Sequence, residues 1–380
     1  MKTTILPTTT TKTRTEPKFK SARGVNPVPK EWLWLALSSL LLGVCPSSVL
    51  AQSFTTFDVP GAACTYAVDI NNSGTVAGYY CDSNFGATHG FVRAPSGAIT
   101  TFDPPGSIST GASSINQGGT VTGSYYGADG LSRGFVREPD GTITRFHGPS
   151  QNDPPLGTSP ECINQFGVVV GSWEDPNVDE THGFVREPSG AIKSVDVQIG
   201  LHNGGTEAHS ISPTGEITGY WSGPPDFVSH GFVRTWGGAI TSFDAPGATD
   251  TFSRSINQLG SVAGDYSDSN GNHGFVRASD GTFTTVDAAG AGTGPGQGTS
   301  AFKINRFGAV TGHYLDANNV LHGFVRAFDG TFTVLDAPGA GTGPFEGTSA
   351  WSINDFGLVT GTFVDANFST HGFVALTIAP

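Results

Sequence analysis

One short motif occurs seven times in this chain, and that periodicity constrains the fold more than any other feature. His-Gly-Phe-Val-Arg stands at His89, His182, His230, His273 and His322; Arg133 replaces the His in the second copy, and Ala375 replaces the Arg in the copy starting at His371. The copies recur every 43 to 49 residues. A unit of that length cannot bury an apolar face alone, so neighbouring units must stack.

Each unit carries the same punctuation. Upstream of the motif lies Ile-Asn-x-x-Gly and then Val-x-Gly-x-aromatic, which in the first copy are Ile70, Asn71, Gly74, Val76, Gly78 and Tyr80. Six copies keep the Asn, and the fourth has Ser212. An Asn opening a turn that closes on Gly suits a type I turn with Gly left-handed, the connection of a short hairpin. Downstream comes a second tight turn, Pro95-Ser96-Gly97 or Pro139-Asp140-Gly141, and a strand such as Ile99 to Asp103. Each unit therefore reads as four short strands in a meander. A chain with 54 Gly, 24 Pro and 13% charged residues suits many short strands and neither a helical nor a disordered protein.

Four-stranded units repeated at this spacing predict an all-β fold, a seven-bladed β-propeller occupying residues 52–380 as one domain. The repeats begin with a lone strand, Phe54 to Asp58, and end soon after the third strand of the seventh unit. The N-terminal strand is expected to complete the last blade and close the ring, which would leave few open sheet edges.

The motif residues resemble the probable extracellular repeats named HAF after their His-Ala-Phe mark, written here His-Gly-Phe, over nearly all of residues 54–374. The resemblance implies an extracytoplasmic location and no established activity.

Residues 1–51 differ from the rest. Seven Lys/Arg against two Glu precede the apolar run Trp32 to Val44, and Val49-Leu50-Ala51 supplies small residues for a cut after Ala51. This is the pattern of a secretory signal, and its apolar core is too short to span a bilayer comfortably. The long basic segment leaves an uncleaved anchor as the alternative. Val44 before Cys45 argues against lipidation. The expected location is secreted, extracellular or periplasmic, with no stable membrane span after cleavage.

With the leader's net +5 removed, the formal −13 of the whole chain becomes −18. Nucleic acid needs a basic face, so it is excluded as a partner. No cofactor motif is present, and the chain reads as a monomer. The Gly-Ala-Gly-Thr-Gly-Pro loops within Ala288 to Ser300 and Ala337 to Ser349 lack the Gly-Lys-Ser/Thr ending of a phosphate loop. Gly-x-Ser-x-Gly, His-Glu-x-x-His and Cys-x-x-Cys are absent.

Anything present in every unit is first of all a folding element. The motif histidines are expected to bond loop backbone, and the motif arginines an acid or carbonyl. The rings Tyr80, Tyr125, Trp173, Trp221, Tyr266, Tyr314 and Phe363 are expected to pack between blades; exposed sugar platforms are the sharper alternative. Loops after the second strand pair acid and amide at Asp82/Asn84, Asp175/Asn177, Asp268/Asn270, Asp316/Asn318 and Asp365/Asn367. Alternating oxygen ligands suit calcium, with Asp268, Asn270, Asp316 and Asn318 as candidates, but ordinary turns use the same residues. Cys64 and Cys81 flank the first hairpin and form a disulfide if the register sets them opposite one another.

Positions that break the repeat are the better functional candidates. Asp69, Glu161, His209, Arg254 and Lys303 lie just before the Ile of the first strand, where other copies carry Ser or an apolar group. They are expected around a central channel, near the face of the long, irregular loops, which is the face where binding usually resides. Asp69, Arg254 and Lys303 read as binding residues, Glu161 and His209 as catalytic candidates. The leading function is an extracellular binding module for a polysaccharide or a surface protein. The alternatives are a polysaccharide-degrading glycosidase or lyase, and a purely structural surface protein.

Overall fold

The computed structural model describes residues 53–149, 157–175, 180–199, 202–203 and 205–377. The leader, the proposed cleavage point and Asn177 lie outside these residues. Every regular element described is a β-strand.

Four separate four-stranded antiparallel sheets cover residues 64–102, 107–146, 157–195 and 205–243. Gln198–Ile199 and His202–Asn203 form a two-stranded sheet, and the other strands join in a twelve-stranded sheet, because single parallel bridges, Asn272 with Gly298 and Leu321 with Gly347, link successive meanders. The last meander takes three strands, Gly347–Ile353, Leu358–Val364 and Thr370–Leu376, from the C-terminal end. Its fourth is Ser53–Phe57, antiparallel to Thr370–Leu376 with Thr55 opposite Val374.

The repeated residues explain why the units hold together. The motif phenylalanines Phe91, Phe135, Phe184, Phe232, Phe275, Phe324 and Phe373 are fully buried. Several meet, edge on, a Phe from the fourth strand of the preceding unit: Phe102 with Phe135 at 5.6 Å and Phe146 with Phe184 at 5.9 Å. Phe57 makes the same contact with Phe91 at 6.0 Å. The motif arginines lie over those same rings, Arg137 5.0 Å above Phe102 and Arg186 4.9 Å above Phe146, and donate to the carbonyl of the following residue. The core is thus a series of clusters between units, and the second-strand rings Tyr80 to Phe363 belong to these clusters. The recurring second-strand Gly is a matter of space: a Cβ on Gly312 would collide with the Ser300 carbonyl oxygen and press on the Phe324 ring.

The turn Asn does two jobs. Asn71 Oδ1 accepts from Ser73 N and Thr75 N, fixing the hairpin with Gly74 at φ +81°, while its Nδ2 donates to Asn116 O of the next unit at 3.2 Å. Asn116 donates onward to Asn164 O, Asn164 to Ser212 O, Asn257 to Asn305 O, Asn305 to Asn354 O, and Asn354 to Asn71 O. The relay misses one step, from Ser212 to Asn257, because serine has no amide to reach across.

One expectation about side chains changes. The motif histidines bond carboxylates rather than loop backbone: Nδ1 of His89, His230 and His273 lies 2.8 to 2.9 Å from Asp103, Asp244 and Asp287, each fourteen residues on. All of these rings but His89, which is tilted on Tyr80, stack on the aromatic opposite in the second strand, as Trp173 on His182 at 4.8 Å and Tyr314 on His322 at 4.9 Å. Tyr125, Trp173, Tyr266, Tyr314 and Phe363 are buried, which removes those five as sugar platforms, while Tyr80 and Trp221 are half-buried.

The acid and amide loops at Asp82, Asp268, Asp316 and Asp365 are ordinary turns. Asp316 Oδ1 accepts from Asn318 N and Val320 N, both at 2.8 Å, and Asp268 Oδ1 accepts from Asn270 N. These bonds hold both carboxyls below their usual range; for Asp316, burial opposes the backbone donors and is outweighed by them. The oxygens that calcium would need are bonded to the loop itself, and among the described residues no group of three His, Cys, Asp or Glu could hold a metal ion.

Cys64 and Cys81 face one another directly, with Cα atoms 5.0 Å apart, and are disulfide-bonded. The register slip lies elsewhere in that hairpin, between Ala67 and Asp69. Cys162 is buried and unbridged.

Candidate functional site

That slip is the key to the site. In all seven units the first strand carries a β-bulge at the second residue before its Ile: Val68, Ser113, Glu161, His209, Arg254, Phe302 and Trp351. Adjacent residues in a regular strand point to opposite faces, whereas a bulge re-aims them. The bulge residue and its successor therefore line one cavity together, about 430 Å³, with a residue from every unit in its wall.

The candidates sort into two layers. Asp69 and Lys303 immediately precede the Ile, and they also border a second cavity of about 280 Å³ on the side of the Asn turns. They lie deeper than expected, away from the long-loop face, because the first strand runs from that face toward the Asn turns. Glu161, His209 and Arg254 are bulge residues one step back along the strand.

Asp69 is the hub of the deep layer. It is buried, and its carboxylate accepts from Ser114 Oγ at 2.9 Å, Ile115 N at 3.0 Å and Ser352 Oγ at 2.6 Å, with Lys303 Nζ at 3.5 Å. Burial opposes the charge on Lys303, yet Asp69 outweighs it and leaves the ammonium pKa above its ordinary value. Four units thus meet at one carboxylate, and the Asp69–Lys303 pair is satisfied internally. That reads as architecture rather than as a binding pair.

The bulge layer has two unlike walls. On one, His209 stacks on Tyr220 at 5.0 Å with Nε2 3.4 Å from Glu207, while the Tyr220 hydroxyl donates to Glu207 at 2.8 Å. Arg254 donates to Asp265 at 3.0 Å and lies 5.2 Å over Phe252. Burial and Glu207 push the Tyr220 hydroxyl far above its usual range. Glu161 shares this wall with no hydrogen bond or ion pair to a described residue. Burial raises its carboxyl pKa, with His209 and Arg254 opposing and Glu207 adding to the rise.

The other wall is aromatic. Phe302 and Trp351 stack at 4.6 Å and 18°, and His313 stands edge-on to Phe302 at 4.9 Å. His313 is held by Ser349 Oγ at 2.9 Å, and burial lowers its pKa to about 4, so the ring is neutral. Trp351 keeps 37% of its surface exposed.

Sequence reasoning reached Glu161, His209 and Arg254 and missed Phe302, Trp351, Glu207, Tyr220 and His313. Phe302 and Trp351 stand at the same position, among the copies whose apolar residue there gives no polar signal. The other three alternate along the first and second strands with invariant Thr and Gly, and they stand behind the residues that line the cavity.

No protein-family model matches the chain, and no curated protein matches it in sequence. Solved structures do resemble it. A catalytically inactive virginiamycin B lyase from Staphylococcus aureus, in complex with quinupristin, superposes with a TM-score of 0.54 at 11% identity, covering 86% of this chain and 100% of that one. Puromycin hydrolase gives 0.51 at 11% identity, over 83% of this chain and 55% of that one. A prolyl endopeptidase gives 0.51 at 12%, over 85% and 46%. The chain spans about half the length of those two. At such identities the likeness concerns the fold alone: an all-β chain of repeated four-stranded antiparallel sheets, of the kind found in β-propeller proteins.

Proposed function

We propose that residues 52–380 form a seven-bladed β-propeller, closed by Ser53–Phe57, that is exported and binds a saccharide in the bulge-lined cavity. The pairing of Ser53–Phe57 with the last strand and the bond from Asn354 to Asn71 favour closure. The leader pattern, the HAF-like motif and the Cys64–Cys81 disulfide favour an extracytoplasmic location. One observation carries the ligand class: a stacked aromatic pair, Phe302 and Trp351, shares a cavity of about 430 Å³ with the polar side chains Glu161, His209 and Arg254. A sugar has an apolar face that stacks and hydroxyl edges that hydrogen-bond, and a pocket of this size takes a small ligand.

A glycan-array and polysaccharide pull-down screen of the chain from Gln52, beside Trp351→Ala, tests this reading. Binding that weakens at least tenfold in the variant supports it. Absence of glycan binding overturns it in favour of a surface-protein partner or a structural role. A second reading, a glycosidase or lyase, is favoured by Glu161, whose carboxyl is biased toward the protonated form as a general acid requires. Release of reducing or unsaturated ends from mixed polymers, lost in Glu161→Gln, would put catalysis in place of binding.

A further inference from the structure

We infer that the ligand of this cavity carries a positive charge at Glu161, in the form of a protonated amine such as that of an amino sugar. The inference rests on the saccharide reading and adds the ligand's charge.

The charges in and behind the cavity wall nearly all have partners. Lys303 pairs with Asp69 at 3.5 Å and Arg254 with Asp265 at 3.0 Å; His209 Nε2 lies 3.4 Å from Glu207, which takes the Tyr220 hydroxyl. Glu161 is the carboxylate left over: it lines the cavity, is half-buried, and has neither hydrogen bond nor ion pair among the described residues. A half-buried carboxyl with no partner gains from a cation placed beside it, which offsets its lost hydration. A neutral sugar hydroxyl would compensate it only in part, and an acidic sugar would add repulsion.

The opposite wall fits the same ligand. Phe302 and Trp351 present aromatic surface, which attracts a cation or the polarised C–H groups beside one. His313, the imidazole on that side, is neutral and so adds no competing positive charge. An ammonium at Glu161 and a ring face on Trp351 would use both walls at once.

The test is calorimetric titration with fully deacetylated glucosamine oligomers and with their N-acetylated counterparts, which differ in the charge on nitrogen. The amine form is expected to bind at least tenfold more tightly, and Glu161→Gln to bring it to the level of the acetylated form. Trp351→Ala is expected to weaken both. Equal binding of the two oligomers, unchanged in Glu161→Gln, overturns the amine assignment and leaves the saccharide reading standing. If neither oligomer binds and the wider glycan screen is also empty, the saccharide reading fails first. Native thermal unfolding of each variant separates these results from misfolding.

Discussion

The Nδ2 of Asn354 donates to the carbonyl oxygen of Asn71 at 2.9 Å, across 283 residues of chain. It is the same bond that Asn71 gives Asn116, and it joins the seventh unit to the first by the chemistry that joins the first to the second. Asn354 is buried and also accepts from Phe356 N and Leu358 N through Oδ1.

Replacing it by Ala should therefore strand two backbone N–H groups and one carbonyl. A loss of about 1–3 kcal/mol is expected, since each buried unsatisfied group costs on that order. Chemical denaturation of Asn354→Ala against the parent measures it, and a loss under a few tenths would show that water replaces the relay.

The disulfide closes a segment with a sequence separation of 17 residues. Joint replacement of Cys64 and Cys81 by Ala should cost about 3 kcal/mol by the loop-entropy argument. The midpoint of denaturation should fall by the same amount when the parent is reduced, and not at all when the double variant is.

His273 lies between two carboxylates, Nδ1 2.9 Å from Asp287 and Nε2 3.2 Å from Asp268. Burial opposes its charge, but the two acids outweigh it and raise the imidazole pKa. A raised pKa gives stability that is full below the unfolded value of about 6.5 and fades as pH rises through the folded one. His273→Gln should thus cost more at pH 5.5 than at pH 8.5, by only about 0.5 kcal/mol because the group is partly exposed. Thermal melts at the two pH values give the difference, and equal losses would refute the assignment.

Phe368 holds φ +61° with its ring 67% exposed, at the position where the preceding unit has Asn319 at φ +63°. Asn tolerates the left-handed region better than Phe. Phe368→Asn is expected to stabilise the protein by about 0.5–1 kcal/mol. A destabilised variant would mean that the exposed ring has a contact that stabilises the fold.

The repeat made the strand pattern legible, because a Phe or Gly needed for packing in one unit is needed in every unit. The interunit packing of the rings from Tyr80 to Phe363 and the Gly74 turn follow from that rule. The layering of Asp69 against Glu161 was not legible. A bulge changes which face a residue takes without changing its type, and seven identical bulges leave no irregularity in the sequence. The pairing of Glu207 with His209 was hidden for a related reason: Glu207 replaces a Tyr, Gly, Ser or Phe of other units, and such variation looks like surface drift until its neighbours are known.

The bulge has an evolutionary side. At that one position the seven units carry Val, Ser, Glu, His, Arg, Phe and Trp, seven different side chains on one backbone geometry. The fold demands nothing of the residue there, so the cavity can be rewritten one letter at a time while the sheets stay as they are. A change of ligand in such a lineage would leave its first trace in seven scattered codons, while the Phe, Gly and Asn of the surrounding repeat stay unchanged.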